Sequence, residues 1–339
     1  MTASLQKTSQ QSDASPIEWL QSNFQEDMKG VNAHILDYLQ SDVPLIPELA
    51  NYLIASGGKR IRPLLVLSST QLLGGDMERA HRLAAAVEFI HSATLLHDDV
   101  VDNSDQRRGK KTAHVIFGNE ASVLVGDFLF SRSFQLMVAD GSIDVLKVLS
   151  DASSIITEGE VNQLSNQQNV GITFEQYFKV IEGKTASLFA ASCEVGAIIA
   201  NSSDKARQAI KDYGYHIGIS FQICDDTLDY DTDRSRLGKD IGDDFYEGKM
   251  TAPLLFAIQS SNEDEKSFWQ DVLSKETRDE KDLEQAIALI RKYKSIEECH
   301  TLAKTHVDKA VNCINQIAEE SELKNALIGL AAFTMERTK

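Results

Sequence analysis

Hydrophobic side chains return every three or four positions over most of the chain, which is the spacing of an amphipathic α-helix. Two clear runs cover 83–95 and 189–200, where Leu, Val, Ile, Phe and Ala fall on one helical face. Between Leu64 and Ala252 there is neither sustained alternation of apolar and polar residues nor an Asn-Gly turn, the usual signals of strands and hairpins. The pattern predicts an all-α protein.

Polar and glycine-rich breaks divide this pattern into about ten helical segments. None of the breaks is long enough to separate two domains, and no internal repeat occurs at a fixed period. Residues 17–339 are therefore predicted to form one large helical bundle. The segment 1–16 is polar and rich in Gln and Ser, and we expect it to be a disordered lead-in.

Charge and composition narrow the classes of function. The chain carries 51 acidic and 34 basic side chains, and its net charge of −17 disfavours nucleic acid as a partner. No apolar stretch reaches the roughly 18 residues of a transmembrane helix, and no secretory signal begins the chain. The sequence thus predicts no integral membrane segment and a cytoplasmic location. The four cysteines form no Cys-x-x-Cys pair and are interpreted as reduced packing residues.

The first candidate for chemistry is an aspartate motif formed by Asp98, Asp99 and Asp102, directly after the apolar run 89–96. On a helix, Asp98 and Asp102 lie one turn apart on the same face, with Asp99 beside them. Taken alone, such a motif is more typical of a solvated acidic surface. Here the same face continues into apolar residues, so the carboxylates are predicted to cap an apolar interior.

A second aspartate motif repeats the pattern far along the chain, in Asp225, Asp226 and Asp229. Six carboxylates brought together would repel one another strongly unless cations lay between them. Oxygen ligands without clustered Cys or His suit Mg²⁺, or Mn²⁺, rather than Zn²⁺. Because Mg²⁺ held by a few carboxylates commonly completes its shell with substrate phosphate, the two motifs predict a site for a metal and a phosphate ester.

Basic residues occur in local groups even though the chain is acidic. Lys59 and Arg62 follow a Gly-Gly turn, and Arg107 and Arg108 follow the first aspartate motif. Such groups predict anion sites, because Arg and Lys bind phosphate oxygens. Each group on its own could equally be an ordinary charged surface. Further donors occur near the second motif, at Lys184, Thr185, Lys239 and Lys249.

The ordered set of motifs closely resembles that of the trans-isoprenyl diphosphate synthases, from about Asp27 to Arg337. The nearest group is the long-chain bacterial enzymes that make octaprenyl diphosphate, and the fold implied is an α-helical bundle around a central apolar cavity. Departures are small: Met250 stands where Pro is frequent, and Glu182-Gly183 where Tyr-Ser is common. The segments that carry the resemblance are 57–63, 88–109, 126–129, 183–186, 221–229 and 238–249.

The resemblance implies roles for individual residues. The diphosphate of isopentenyl diphosphate would be held by Lys59, Arg62, His91 and Arg108. The allylic diphosphate would be held by Arg107, Lys184, Thr185, Gln222, Lys239 and Lys249. Two or three Mg²⁺ ions would be bound by Asp98, Asp102 and Asp225, with support from Asp99, Asp226 and Asp229. Catalysis would depend chiefly on Asp98, Asp102, Arg107, Lys184 and Asp225.

The reaction implied is the elongation of an allylic diphosphate, with farnesyl diphosphate as primer, by isopentenyl units. The expected product is octaprenyl diphosphate for the side chain of ubiquinone or menaquinone, and the expected assembly is a homodimer. Product length should follow the depth of the tunnel below Asp98, where Ala93 and Thr94 are small and favour a long chain. Phe134 is a candidate floor of this tunnel, although an aromatic at helical spacing is more often ordinary core.

Three other functions compete with this interpretation. A synthase of farnesyl or geranylgeranyl diphosphate is disfavoured by the small Ala93 and Thr94. A terpene cyclase normally needs no isopentenyl site, so Lys59, Arg62 and Arg108 argue against it. A non-catalytic partner subunit of a heteromeric synthase would be expected to have eroded aspartate motifs, and both motifs here are intact.

Overall fold

The computed structural model of the chain describes residues 15–55, 57–107, 109–230 and 241–336. Helices account for most of these residues, which confirms the predicted all-α class. The predicted domain boundary at residue 17 stays a prediction, because residues 1–14 lie outside the described ranges. The α-helices are α1 Pro16–Asn23, α2 Gln25–Tyr38, α3 Leu45–Ala55, α4 Ile61–Leu72, α5 Met77–Val101, α6 Ala113–Phe117, α7 Asn119–Asp140, α8 Ile143–Ser165, α9 Phe174–Ile181, α10 Ser187–Ile199, α11 Asp204–Leu228, α12 Asp243–Tyr246, α13 Ala252–Ser260, α14 Glu263–Leu273, α15 Glu280–Lys292, α16 Ser295–Asn315 and α17 Glu322–Glu336.

Local sequence explains where the principal helices begin and end. The Asp76 side chain accepts a hydrogen bond from the second N–H of α5, and the Ser203 hydroxyl accepts one from the third N–H of α11. Each cap satisfies a backbone donor that has no partner within the helix. α7 ends at Gly141, whose φ of 78° is a left-handed conformation that glycine adopts without steric cost.

Two helices of 25 residues, α5 and α11, form the centre of the bundle. α5 packs against α2, α4, α7 and α10, whereas α11 packs against α10 and α16. Leu83 and Val87 of α5, and Ile210 and Ile217 of α11, are completely buried. Residues from the C-terminal ends of both helices, where the aspartate motifs lie, line one cavity. Burial of the two apolar helices thus brings together motifs that are distant in sequence.

One hairpin and many short helices were not predicted. Strand β1, Gln106–Arg107, pairs antiparallel with β2, Lys110–Lys111, and Gly109 between them has a φ of 74°. Strands of two residues are too short to show alternation, so the sequence pattern does not reveal them. Likewise α6 and α12 comprise five and four residues. The described ranges consequently contain more helices than the breaks predicted.

A π-helical turn over Glu182–Ala186 joins α9 to α10. The turn lies against α8 through two glycines: a Cβ added to Gly183 would lie 2.7 Å from the Cα of Gly159, and one added to Gly159 would lie 2.8 Å from the Cα of Gly183. Such a close approach requires the absence of a side chain at both positions. The turn therefore holds Lys184 directly beside α8.

Helix α7 has the length and apolar composition that could cross a membrane. In the described part of the chain its buried residues, among them Val125, Leu129 and Leu136, belong to the hydrophobic core, and the helix packs against α5. A core helix of a bundle passes the same composition test, so α7 is weak evidence for a membrane span.

Candidate active site

Two adjoining cavities are lined by residues of both α5 and α11. The first, here the basic cavity, has a volume of about 460 Å³ and is lined by Lys59, Arg60, Arg62, His91 and Lys111 among others. The second, here the acidic cavity, has a volume of about 500 Å³. Seven charged residues line the acidic cavity alone: Asp98, Asp102, Lys184, Asp225, Asp226, Asp244 and Lys249. Five residues line both cavities and form a common wall: Arg62, His91, Leu95, Arg107 and Phe221.

The basic cavity gathers cationic side chains from α4, α5 and the turn before α4. Arg62 Nη1 lies 3.0 Å from His91 Nε2, and Arg62 also lies over the ring of Phe189. Lys59 Nζ lies 4.4 Å from the ring centroid of Phe333. These contacts place cationic side chains around one cavity, an arrangement that suits an anion.

The turn that carries Lys59 is anchored by an ion pair. Arg60 has a φ of 51°, a left-handed conformation that is uncommon for a residue with a side chain. Its Nη1 lies 2.6 Å from Glu88 Oε1, and both side chains are largely buried. The pair joins the start of α4 to α5 one turn before His91. It therefore fixes the spacing between the residues of the turn and those of the helix.

In the acidic cavity two lysines are paired with carboxylates. Lys249 Nζ lies 3.0 Å from Asp102 Oδ2, an ion pair that joins the end of α5 to the segment after α12. Lys184 Nζ lies 3.2 Å from Glu160 Oε1 of α8. Charged groups of both signs thus line this cavity, and Asp98 and Asp225 line it as well. Such an arrangement can bind a metal ion and an anion together.

The six predicted metal ligands differ in their contacts. Asp99 Oδ1 accepts from the guanidinium of Arg107 at 2.8 Å. Asp226 accepts from the Tyr177 hydroxyl at 2.7 Å and from the Gln222 amide at 2.8 Å. These two carboxylates line the cavities but are also bound to protein donors. The third, Asp229, accepts from two backbone N–H groups at 3.1 Å, those of Asp243 and Asp244, and is not among the residues that line the acidic cavity.

Burial and mutual repulsion raise the pKa values of the carboxyls in this region. Burial, followed by the charge of Glu160, raises the pKa of Asp98 to about 7. Burial, followed by the charge of Asp244, raises the pKa of Asp226 to about 7 and that of Asp229 to about 8. Burial also opposes the charge of Lys249, but the surrounding carboxylates outweigh it and raise the pKa of that lysine. Cations are therefore favourable in this cavity.

The donor set fits a hard divalent cation. Carboxylate oxygens from two helices line one cavity, which is the chemistry that Mg²⁺ prefers. Across the described ranges, no three His, Cys, Asp or Glu side chains stand close enough to hold a metal without help. Water or oxygens of a bound ligand would complete the metal shell, and the lysines beside the carboxylates would neutralise a bound anion.

A hydrogen-bond network links the π-helical turn to α11. The Thr185 hydroxyl donates to Gln222 Oε1 at 2.6 Å, and the Gln222 amide donates to Asp226. The Tyr177 hydroxyl of α9 donates to the same Asp226 carboxyl group and completes the network. Because π-helical turns frequently occur at functional sites, the turn at Lys184 and Thr185 supports their assignment to the site.

Four residues that line the acidic cavity or contact its charged side chains were not identified from the sequence. Asp244 lies within the segment 238–249 that carries the family resemblance, but no role was assigned to it from the sequence. Glu160, Gln163 and Tyr177 lie in ordinary helical patterns, where only their contacts with Lys184 and Asp226 distinguish them. Two predicted residues, Arg108 and Lys239, lie outside the described residues.

The predicted chain-length residues lie in different surroundings. Thr94 lines the acidic cavity, as a residue of the tunnel wall would. Ala93 is buried in the core at 1% exposure. Phe134 is half-buried, packs edge-on against Phe130 at 5.2 Å between ring centroids, and lines neither of the two cavities. Its role as a tunnel floor stays a prediction.

Comparison with known proteins gives the family. Residues 43–290 match the family model described as polyprenyl synthetase. The octaprenyl diphosphate synthase of Haemophilus influenzae is 42% identical, over 96% of this chain and 98% of its own length. The octaprenyl diphosphate synthase of Escherichia coli is 43% identical, over 93% of this chain and 97% of its own.

Solved structures agree with the sequence relatives. A decaprenyl diphosphate synthase from Rhodobacter capsulatus superposes with a TM-score of 0.91 at 45% identity, and the match covers 96% of this chain and 100% of that one. A polyprenyl synthase from Caulobacter crescentus, complexed with calcium and isoprenyl diphosphate, gives 0.90 at 44% identity, over 97% of this chain and 100% of that one. The predicted resemblance is confirmed, and the chain belongs to the polyprenyl synthetase family.

Proposed function

We propose that this protein is a Mg²⁺-dependent trans-prenyltransferase that extends farnesyl diphosphate with isopentenyl units to octaprenyl diphosphate, for the side chain of a ubiquinone or menaquinone. The observation that carries the proposal is the shared wall of the two cavities. Leu95 and Phe221 belong to both cavities, so two phosphate esters bound in them would meet across an apolar surface. A condensation of two diphosphates needs this arrangement.

In the proposed assignment, the basic cavity binds isopentenyl diphosphate through Lys59, Arg62 and His91. The acidic cavity binds the allylic diphosphate through Arg107, Lys184, Thr185, Gln222 and Lys249. Asp98, Asp102 and Asp225 would hold Mg²⁺, which neutralises the charge that grows on a leaving diphosphate. Lys184 and Lys249 add positive charge at the same oxygens, where a charge that develops in the transition state gains most.

The chain's own residues account for the remaining steps. Cleavage of the allylic C–O bond releases diphosphate and leaves an allylic cation, and the C3=C4 bond of isopentenyl diphosphate then attacks its C1. A proton leaves C2, and we assign it to the departing diphosphate, held beside Lys184 and Lys249. Leu95 and Phe221 would exclude water from the cation.

The proposed product length rests on the wall of the acidic cavity. Thr94 lines it four residues before Asp98, and its small side chain leaves room for a growing chain. A bulky residue at this position would favour farnesyl or geranylgeranyl diphosphate. The small side chain therefore supports the longer product over a shorter one.

Two further properties belong to the proposal. We propose a homodimer, because α7 exposes apolar side chains that a second copy could cover, including Leu124 and Val138 at 66% each. We also propose a cytoplasmic location.

The direct test incubates purified protein with Mg²⁺, labelled isopentenyl diphosphate and farnesyl diphosphate, and separates the extracted products by chain length. We expect a ladder that ends near eight isoprene units and disappears with EDTA. A ladder that ends at four or fewer units would keep the mechanism and reject the proposed product. No incorporation would reject the catalytic assignment and favour a partner subunit.

A further inference from the structure

The segment 242–250, here the lysine loop, carries two charged groups into the acidic cavity. Asp244 and Lys249 both line that cavity. Within the loop the Lys249 N–H donates to the Asp244 carbonyl at 2.8 Å, which keeps the two residues in one compact turn. Lys249 then reaches Asp102 at the end of α5. The position of its ammonium therefore depends on how firmly the loop backbone is held.

Two neighbours hold the loop on the side nearer the cavity. Asp229 accepts from the backbone N–H groups of Asp243 and Asp244, and the Gln168 N–H donates to the Gly248 carbonyl at 3.1 Å. These bonds attach the beginning and the end of the loop to α11 and to the chain after α8. Neither set of bonds involves the middle of the loop, Phe245 to Glu247.

Arg278 supports the middle of the loop from the connection between α14 and α15. Its Nη1 donates to the Tyr246 carbonyl at 3.0 Å, and its Nη2 donates to the Leu273 carbonyl at 2.8 Å. The guanidinium is thus a bridge between the loop and the C-terminus of α14. Arg278 is only 8% exposed, so that water cannot replace these bonds when they are lost.

Packing around the guanidinium makes the contact specific. Gly248 has a φ of 74°, and a Cβ placed on it would lie 3.1 Å from Arg278 Nη2. The loop backbone and the guanidinium are therefore in direct contact beside the carbonyl that accepts the hydrogen bond. Phe245, fully buried, packs on the same side. A burial this complete is costly for a guanidinium whose two bonds go to neutral carbonyls.

We propose that Arg278 is a positioning residue for allylic diphosphate binding, acting through the lysine loop. The proposal rests on the proposed function. Arg278 touches neither cavity, and it lies outside the motifs that carry the family resemblance. One of its donors binds the Tyr246 carbonyl and the other binds the Leu273 carbonyl, so the guanidinium ties the turn that presents Asp244 and Lys249 to the end of α14. Removing the donors should loosen the turn without changing the basic cavity.

The test uses Arg278→Met, which keeps the length and burial of the side chain but removes the donors. We expect the KM for farnesyl diphosphate to rise about tenfold, while the KM for isopentenyl diphosphate stays within about twofold. In the ligand-free protein, backbone N–H groups of 243–249 should exchange with deuterium faster than in the wild type. Arg278→Lys, with a single donor group, should give a smaller change in both measurements.

Arg79→Met is the matched control. Arg79 is half-buried, less deeply than Arg278, and is bound through two nitrogens to Asp140 at 2.9 Å, but it joins α5 to the end of α7 and has no contact with the loop. This variant should lose stability without a selective change in either KM. An equal rise of both KM values in Arg278→Met, or unchanged exchange at 243–249, would overturn the proposal. Because exchange is measured without substrate, it tests the contact between Arg278 and the loop even if the wild type shows no synthase activity, so failure of the proposed function and failure of this contact are distinguishable.

Discussion

Three of the six aspartates in the two motifs accept hydrogen bonds that orient them within the protein. Asp99, Asp226 and Asp229 accept from donors of other elements. Asp98, Asp102 and Asp225 line the acidic cavity, where Asp102 is paired with Lys249. These last three stay the predicted residues for direct metal contact.

Replacing Asp98 by Asn should lower Mg²⁺-dependent turnover about a hundredfold or more, since a neutral amide stabilises a divalent cation poorly. The measurement is the rate of labelled isopentenyl incorporation over a range of Mg²⁺ concentrations. Asp151→Asn, at an exposed ion pair on α8, is the matched control and should be unaffected. An Asp98→Asn enzyme that keeps its full metal-dependent rate would remove Asp98 from the metal site.

Proton and metal should compete for the same carboxyl. Burial raises the pKa of Asp98 from 3.8 to about 7. Between these values the folded protein keeps a proton that the unfolded chain has released, so the Asp98 contribution to the free energy of unfolding falls as pH rises. Metal needs the ionised form, and the rise in melting temperature on adding Mg²⁺ should therefore be larger near pH 8 than near pH 6.

The corresponding measurement is thermal unfolding with Mg²⁺ or with EDTA at both pH values. Asp98→Asn, which has no proton to lose, is the control and should show a smaller dependence of the Mg²⁺ effect on pH. If the wild-type Mg²⁺ effect were equal at both pH values, the raised pKa of Asp98 would not govern metal binding.

At the scale of the residue, sequence could predict which side chains gather but not what each one contacts. The spacing of Asp98 and Asp102 placed them on one helical face, and both line the same cavity. The partner of Asp226 is Tyr177, which lies 49 positions away on α9. Such partners depend on how the helices cross, and the residue pattern of one helix does not reveal the crossing geometry.

At the scale of the element, the π-helical turn depends on the contact between Gly159 and Gly183. Gly159→Ala would place a methyl group 2.8 Å from the Gly183 Cα, so the turn must move away from α8. We expect a loss of about 1–3 kcal/mol in the free energy of unfolding and weaker binding of the allylic diphosphate through Lys184. Urea unfolding and the KM for farnesyl diphosphate measure these two effects.

Ser154→Ala is the control for this substitution, because Ser154 is an exposed residue of the same helix. It should change neither measurement appreciably. Normal stability and normal KM in Gly159→Ala would show that the turn tolerates a shift, and that its close contact with α8 does not position Lys184.

The predicted tunnel floor concerns α7. Phe134→Ala should lengthen the products if the ring blocks the growing chain, because removal of an aromatic opens space along the helix. The product ladder measures this, and Ser131→Ala, at an exposed position of α7, is the control. An unchanged ladder would assign Phe134 to ordinary packing with Phe130.

Helices were predicted well where apolar spacing extends over many residues, as in α5 and α10. The hairpin of β1 and β2 was not predicted, since two-residue strands carry no periodicity. The π-helical turn was not predicted either. Its sequence, Glu182 to Ala186, keeps a helical composition, and the extra residue per turn is stabilised by contact with α8 rather than by local propensity.

At the scale of the whole molecule, the shared chemistry of the two distant aspartate motifs predicted that they lie close together. They do so in the structure because α5 and α11 both pack on α10 and aspartates of both line one cavity. No sequence motif marks Arg278, whose contact with the lysine loop depends on how α14 and α15 pack beside that loop.

The exposed apolar residues of α7 bear on assembly. If a second copy covers them, Leu124→Lys should shift the protein from twice the chain mass towards a single chain, because burying an unpaired ammonium is costly. Light scattering after size exclusion measures the mass. Leu36→Lys, at an exposed apolar position of α2, is the control and should keep the wild-type mass. An unchanged mass in Leu124→Lys would place the interface elsewhere.

The ion pair of Lys249 and Asp102 has a thermodynamic consequence for ligand order. Lys249 also lies beside Asp244 and Glu247, so Asp102 is one of three carboxylates that share its ammonium. Under the proposed function, Asp102 would turn from Lys249 to a metal, and Lys249 would turn from Asp102 to a diphosphate. Each charge that leaves the pair would then gain a new partner when both ligands are bound. Under that assignment metal and diphosphate would bind cooperatively, and each would raise the affinity of the site for the other by the same factor.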